Sequence, residues 1–80
     1  MSNNKVWSLE FCPICEDVKK KLNEIGIEFE EGKCDDLING KDTNFKATRR
    51  FVKNKKVAPL ILIDGEFIES DIILSPHFKI

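Results

Sequence analysis

The chain has 80 residues, of which 41% are hydrophobic and 34% are charged, and its net charge is −1. This composition excludes a disordered chain and offers no overall charge that would attract nucleic acid or an anionic membrane. The longest apolar run, residues 57–63, is interrupted by Pro59 and is far shorter than the ~20 residues of a membrane-spanning helix. We therefore expect one monomeric domain over residues 1–80, with no nucleic-acid or membrane partner.

The first third of the chain predicts a strand, a helix and a second strand. Residues 6–9 are mostly apolar and precede a helix signal, so they are predicted as a strand. Pro13 suits the first turn of the helix, the apolar positions 18, 22 and 25 repeat at helical spacing, and Gly26 ends it. Residues 27–30 alternate apolar and acidic side chains, which is typical of a half-buried strand.

The middle of the chain predicts a loop, a helix and a buried strand. Residues 32–41 are predicted as a loop, and Asp42 or Thr43 as the cap of a helix that ends near Asn54. The apolar face of this helix is predicted to contain Phe45, Thr48 and Val52, with Phe51 beside it. The continuous apolar run at 60–63 predicts a strand that is buried on both faces.

The last part of the chain predicts a hairpin and a short helix. Asp64 and Gly65 form a strong turn signal, after which the chain returns as a strand through residues 67–68. Asp71 or Ser70 is predicted to cap a last short helical turn over residues 72–74, which Pro76 ends. The order β-α-β-α-β-β-α, with a right-handed β-α-β crossover first, predicts an α/β fold with a mixed four-stranded sheet.

The three cysteines are an odd number, so they cannot all form disulfides with one another. The N-terminus lacks the apolar stretch of a secretory signal, and we therefore expect a cytoplasmic protein with reduced thiols. Cysteines in that setting bind metal, act in catalysis or are simply buried. Cys34 is predicted to be a spectator on a loop, with a third redox thiol as the alternative.

Cys12 and Cys15 form a Cys-Pro-Ile-Cys motif between the first strand and the first helix. Backbone N–H groups at a helix N-terminus stabilise a thiolate, so Cys12 is expected to be a nucleophile. Cys15 lies one turn later and is expected to resolve the mixed disulfide that Cys12 forms. The carboxylates of Glu16 and Asp17 oppose the thiolate and moderate this effect.

Other interpretations of the motif remain open at this stage. Cys-x-x-Cys is also half of a zinc site, but no second pair follows, and Cys34 and His77 are isolated. A structural disulfide or a chance spacing would also produce the motif. The strand–CxxC–helix context favours redox chemistry, and no metal is expected.

Three segments together resemble the glutaredoxin family. They are Cys12-Pro13-Ile14-Cys15, Val57-Ala58-Pro59 and Ile63-Asp64-Gly65-Glu66-Phe67-Ile68. The resemblance implies a thioredoxin-like fold over nearly the whole chain. It also implies that Pro59 is cis and faces the dithiol, and that the backbone of Ala58 pairs with the bound thiol substrate.

The resemblance further implies a glutathione site, from which this chain departs at several positions. Glutaredoxins usually carry an aromatic residue where this chain has Ile14, and a lysine where it has Leu9. The family's Gly-Gly segment is replaced by residues 69–71, which begin with Glu69. Ser70 and Asp71 stand where the family contacts the glutamyl end of glutathione, and Arg49 and Arg50, on the second predicted helix, are expected to replace the missing carboxylate partner, at a weakened site.

The resulting prediction is a dithiol–disulfide oxidoreductase that reduces protein disulfides or glutathione mixed disulfides, with glutathione as reductant. One alternative is a redoxin that takes electrons from thioredoxin reductase and donates them to ribonucleotide reductase. The alternative from another functional class is an iron–sulfur or metal-binding module.

Overall fold

Four short strands form one mixed sheet, and helices pack on both of its faces. The structure is a computed structural model that describes residues 4–53 and 58–78. The elements of the described residues are β1 (Lys5–Ser8), α1 (Pro13–Glu24), β2 (Glu30–Lys33), α2 (Cys34–Asn39), α3 (Phe45–Lys53), β3 (Leu60–Ile63), β4 (Glu66–Phe67) and α4 (Ser70–Ile73). None of the helices in this described part is long and apolar enough to cross a membrane.

The sheet has the strand order β2-β1-β3-β4. Strands β1 and β2 are parallel, with Ser8 opposite Lys33, whereas β1 and β3 are antiparallel, with Trp7 opposite Leu60. Strand β4 pairs antiparallel with β3. The predicted α/β class and mixed four-stranded sheet are therefore confirmed, with one helix more than the predicted order contained.

The core has one layer on each face of the sheet, because successive residues of a strand point to opposite faces. On one face, Val6 packs with residues of α1, β3 and α4. On the other face, Trp7 packs with residues of α2, α3 and β3. The fully or almost fully buried members of the first layer are Val6, Val18, Leu22, Ile61, Ile63 and Ile73, and those of the second are Trp7, Cys34, Leu37, Ala47, Phe51 and Leu60.

Helix α1 follows its sequence signals closely. Pro13 is its first residue, where the absent N–H is not needed, and Cys12 is its N-cap. Val18 and Leu22 are buried as predicted, while Ile25 is only partly covered at the C-cap. Gly26 has φ +79°, the left-handed conformation that glycine adopts at helix ends.

The second strand lies three residues later than predicted. Strand β2 covers Glu30–Lys33, and residues 27–29 run outside the sheet, where Ile27 and Phe29 pack against the α1 layer. The alternating pattern at 27–30 therefore reflects apolar side chains that are half-buried against the core, and it does not indicate strand pairing. Gly32 belongs to the strand because it pairs with Trp7, whose side chain occupies the space that a Cβ would need.

The predicted loop at 32–41 is wrong, because the chain forms helix α2 there. Asp35 and Asp36 lie in its first turn, where carboxylates complement the helix dipole. Gly40 ends the helix with φ +77°. Cys34 is consequently the first residue of a helix and is fully buried, not placed on a loop.

Helix α3 was predicted with the wrong cap and the wrong buried face. Asn44 is the cap, since its Oδ1 accepts a hydrogen bond from the Ala47 N–H at 3.0 Å. Ala47 and Phe51 are buried, whereas Phe45 is 77% exposed. The predicted end near Asn54 lies outside the described residues.

The hairpin and the last helix form where predicted, but β4 covers Glu66–Phe67 and not residues 67–68, and the predicted caps Ser70 and Asp71 lie inside the helix. Asp64 and Gly65 both have positive φ, as the predicted hairpin turn requires. Helix α4 starts at Ser70, with Glu69 as its N-cap. The Ala58–Pro59 bond is cis, as the resemblance implied.

Asp42 ties the loop between α2 and α3 to the first strand. Its Oδ2 accepts hydrogen bonds from Trp7 Nε1 at 2.7 Å and Lys5 Nζ at 3.2 Å, and its Oδ1 accepts from the Asn44 N–H at 2.9 Å. Burial raises the pKa of this carboxyl. The Trp7 and Asn44 hydrogen bonds and the charge of Lys5 outweigh burial, so its pKa is held below the ordinary 3.8.

We expect Asp42→Asn to destabilise the fold by about 2 kcal/mol at neutral pH, because the amide replaces one acceptor by a donor. A carboxylate with a depressed folded-state pKa stabilises above its unfolded value of 3.8, and this stability is lost as the pH falls through the lower folded-state pKa. Urea unfolding from about pH 6 to about pH 2 should therefore show the difference between wild type and Asp42→Asn shrinking. Asp64→Asn, at an exposed turn position that also suits asparagine, is the control. A difference independent of pH would contradict the prediction.

Candidate active site

Cys12 sits at the junction of β1 and α1 with its sulfur on the first turn of the helix. It is the N-cap of α1, in an extended conformation, and is partly exposed. Its Sγ accepts a hydrogen bond from the Cys15 N–H at 3.3 Å, and its carbonyl accepts from the Glu16 N–H at 3.2 Å. A sulfur in this position receives one of the free N–H groups of the helix and the positive end of the helix dipole.

Cys15 lies one turn beyond Cys12 and is fully buried. Burial is the largest cause that raises its pKa, to about 11, and the hydrogen bond and charge of Cys12 raise it further. The backbone of Leu9 and the charge of Lys19 act in the opposite direction. The two thiols are therefore unequal: Cys12 is accessible at the helix N-terminus, and Cys15 is held protonated beneath it.

Cys34 is a third buried thiol at the same edge of the sheet. Strands β1 and β2 are parallel, so Cys34, directly after Lys33, lies beside the chain that follows Ser8. Burial raises its pKa to about 12, with smaller contributions from the charges of Cys15 and Asp35, while the Leu60 backbone N–H lowers it. A thiol this strongly protonated is a poor nucleophile at neutral pH. All three cysteines are free.

Ala58 and Pro59 reach this edge from the other side of β1. Strand β3 begins at Leu60, opposite Trp7, and runs antiparallel to β1. The two residues before it are therefore level with the end of β1, where the chain turns toward Cys12. Both are partly buried, and Val57, the first residue of the sequence motif, lies outside the described residues.

The residues assigned to glutathione by resemblance fall on α3 and α4. Arg50 forms an ion pair with Glu69, Nη2 to Oε1 at 3.1 Å, and its guanidinium lies over the ring of Phe67 at 5.9 Å. Glu69 directly precedes Ser70 and Asp71, the first two residues of α4. Arg50 and the start of α4 are therefore neighbours, but the Glu69 carboxylate already pairs with the guanidinium.

Arg50 also keeps an unused donor. Its Nε is buried without a hydrogen-bond partner within the part of the chain that is described. Arg49, one residue earlier, is exposed. Over residues 4–53 and 58–78, no hydrogen bond or ion pair links Arg49, Arg50, Ser70 or Asp71 to the Cys12–Cys15 pair.

An exposed aromatic side chain directly precedes Cys12. Phe11 is 99% exposed and has φ +56°, a left-handed conformation that is unfavourable for a bulky residue. Ile14, between the two cysteines, is 48% exposed, and Leu9 is 38% exposed. The sequence suggests apolar neighbours for Cys12, but neither the backbone conformation of Phe11 nor its exposure follows from a local pattern.

The described residues contain no group of three or more His, Cys, Asp or Glu side chains that could hold a metal ion. No protein-family model matches the sequence, and no curated protein matches it either. An accessible sulfur at a helix N-terminus, with a second thiol one turn away, is arranged for thiol–disulfide exchange.

Proposed function

We propose that the protein is a dithiol–disulfide oxidoreductase with a thioredoxin-like fold. The observation that carries the proposal is the unequal pair of thiols at the start of α1, one accessible and one buried, joined by a 3.3 Å hydrogen bond from the Cys15 N–H to the Cys12 sulfur. The helices on both faces of a mixed four-stranded sheet support the fold assignment.

The reaction proceeds in two exchanges. The Cys12 thiolate attacks one sulfur of a substrate disulfide, and the other sulfur leaves as a thiolate that takes up a proton. The Cys15 thiolate then attacks the Cys12 sulfur of the mixed disulfide and releases the second substrate thiol. The protein ends as a Cys12–Cys15 disulfide, having transferred two electrons, and an external thiol or reductase must reduce it.

The buried position of Cys15 suits its later role. In the free protein, the hydrogen bond and charge of Cys12 help to raise the Cys15 pKa. Once Cys12 is bonded to the substrate it carries no negative charge, so this contribution disappears. The Leu9 backbone and Lys19 continue to favour the thiolate. Cys15 therefore becomes more reactive at the step that needs it.

The test is turnover of a small neutral disulfide, 2-hydroxyethyl disulfide, with two electron sources compared side by side. One arm contains glutathione, glutathione reductase and NADPH, and the other contains thioredoxin reductase and NADPH. We expect turnover in the glutathione arm, weaker than that of a typical glutaredoxin, because Arg50 lies next to the start of α4 but is already paired with Glu69. Turnover only in the second arm would favour the redoxin that serves ribonucleotide reductase. If the protein starts with Cys12 and Cys15 reduced and neither arm gives turnover, the proposal is contradicted.

Glu69 is expected to compete with glutathione for Arg50, because its carboxylate already forms the ion pair that a glutathione carboxylate would make. Both side chains are partly exposed, at 34% and 57%, and such pairs are worth up to about 1 kcal/mol. We expect Glu69→Gln to lower the KM for glutathione by up to about fivefold. Glu66→Gln, an exposed acid on β4, is the matched control. An unchanged KM in both Glu69→Gln and Arg50→Gln would remove Arg50 from the site.

The iron–sulfur or metal-binding alternative is tested on the same material. Protein purified without oxygen should be assayed for iron, zinc and inorganic sulfide, and its absorption spectrum recorded. A stoichiometric metal or a cluster spectrum that is lost in Cys12→Ser would favour the alternative.

A further inference from the structure

Exposed side chains flank Cys12 on both sides along the chain, and the two exchange steps do not need them. They belong to the three residues before Cys12 and to the first turns of α1. We call this set the Cys12 collar, and its members are Leu9, Glu10, Phe11, Pro13, Ile14 and Asp17.

The apolar part of the collar is centred on Phe11. Its positive φ of +56° would suit glycine or asparagine, and its ring is 99% exposed, so neither the turn nor the core accounts for a phenylalanine here. Leu9, before Cys12 in the chain, and Ile14, after it, are also apolar and exposed. Residues held in sparsely populated backbone conformations cluster at active sites and ligand clamps.

The charged part of the collar is acidic. Glu10 and Asp17 are exposed, and the collar contains no lysine or arginine. The neighbouring Glu16 is already paired with Lys19 at 3.0 Å, and the same Lys19 nitrogen contacts Glu31 at 3.1 Å. The collar therefore presents two carboxylates beside an apolar surface, which favours a cationic substrate and repels an anionic one.

Resting on the proposed dithiol chemistry, we infer that the Cys12 collar is a docking surface for polypeptide disulfides whose cysteine is flanked by apolar and basic residues. An apolar substrate side chain covers Phe11 and Ile14, and a lysine or arginine of the substrate lies near Glu10 or Asp17. The charge complementarity distinguishes this substrate from glutathione disulfide, which is anionic. The physiological substrate class is then a protein disulfide in a basic, apolar segment.

The inference is tested by single-turnover kinetics, which need no electron donor. The fully reduced protein is freed from reductant and mixed with the symmetrical disulfide of a blocked pentapeptide. The three probe sequences are Lys-Leu-Cys-Leu-Lys, Glu-Leu-Cys-Leu-Glu and Lys-Ser-Cys-Ser-Lys, and 2-hydroxyethyl disulfide is the small neutral reference. The second-order rate constant is measured at low and at high salt.

We expect the lysine–leucine peptide to react about tenfold faster than the glutamate–leucine peptide at low salt, with the ratio falling toward one at high salt. We expect it to exceed the lysine–serine peptide by about tenfold as well, because only leucine buries the apolar collar. Asparagine tolerates the left-handed conformation, so Phe11→Asn should keep the backbone and reduce the rate ratio of the lysine–leucine to the lysine–serine peptide. The double variant Glu10→Gln/Asp17→Asn should reduce the rate ratio of the lysine–leucine to the glutamate–leucine peptide.

Matched control variants separate the collar from general surface effects. Phe45→Asn removes a phenylalanine that is 77% exposed on α3, and Glu24→Gln/Glu66→Gln removes two exposed acids elsewhere. Both should leave the two ratios unchanged. Equal rates for the three peptides, with fast reaction of 2-hydroxyethyl disulfide, would overturn the collar inference alone. If the protein reacts with none of the four disulfides faster than free glutathione does, the proposed dithiol function is overturned instead.

Discussion

Replacing Cys12 with serine should reduce disulfide turnover by at least about a thousandfold, because no other thiol of the chain is both accessible and at the helix N-terminus. Cys15→Ser should also stop turnover of dithiol-dependent substrates, but by a different route. The first exchange still occurs, and the substrate stays bonded to Cys12. Mass spectrometry of Cys15→Ser after mixing with a disulfide should show this adduct in near-stoichiometric amount.

Thiol alkylation at pH 7 gives an independent check of the same assignment. A pKa of about 11 leaves about one Cys15 thiol in ten thousand ionised at that pH, and the pKa of about 12 leaves fewer still at Cys34. Both are also fully buried. Iodoacetamide followed by peptide mapping should therefore label Cys12 first. Cys34→Ala should retain the turnover and the labelling order of the wild type, and faster labelling of Cys15 than of Cys12 would reverse the assignment.

The elements that sequence patterns predicted well are those with both a start and a stop signal. Helix α1 has Pro13 at its first position and Gly26 just after its end, and the structure confirms both. The hairpin between β3 and β4 has the Asp64–Gly65 turn, which fixes its register without help from distant residues. Such local signals work because the physical preference belongs to one or two residues of the turn or cap.

The errors arose where long-range packing decides the structure. An alternating pattern predicts a strand at 27–30, but β1 pairs with residues 30–33, where Gly32 lies opposite Trp7 and has no Cβ to clash with its indole. Helix α2 was missed because a six-residue helix has too few residues for a periodic pattern. The periodicity predicts Phe45, Thr48 and Val52 on the buried face of α3, with Phe51 beside them. The structure buries Phe51 together with Ala47, and it leaves Phe45 and Val52 exposed.

The candidate site divides in the same way. The order of the two cysteines along a strand–helix junction is a local property, so their unequal environments were predictable. The Arg50–Glu69 pair brings together residues 19 positions apart, on α3 and before α4, and no spacing rule predicts it. The expected glutathione site includes Arg50, but only the tertiary structure shows that the Glu69 carboxylate of the protein itself pairs with the Arg50 guanidinium.

Gly32 is expected to be the position at which one added methyl group damages the fold most. A Cβ there would lie 2.7 Å from Trp7 Cδ1 and 2.9 Å from Trp7 Nε1, and also 2.8 Å from Lys5 Cε. The lysine can move aside, because its stem is flexible. The indole cannot move without cost, since it is fully buried and its Nε1 donates to Asp42 at 2.7 Å.

We therefore expect Gly32→Ala to reduce the free energy of unfolding by about 2–4 kcal/mol, from overpacking and a weakened hydrogen bond to a carboxylate. For a domain of this size that corresponds to a fall in Tm of about 10–25 °C. The chain contains one tryptophan, so its fluorescence reports both the displacement of the indole and the unfolding transition.

Gly26→Ala is the control, because a Cβ at Gly26 meets nothing within 4 Å although its φ is +79°. It should cost only about 1–2 kcal/mol, from the left-handed conformation alone. The Gly32 clash acts through an indole that Asp42 anchors, so Gly32→Ala should cost at least about 1 kcal/mol less in an Asp42→Asn background than in the wild type. If Gly32→Ala costs no more than Gly26→Ala, or costs the same in both backgrounds, the anchored Trp7 is not what requires glycine in β2.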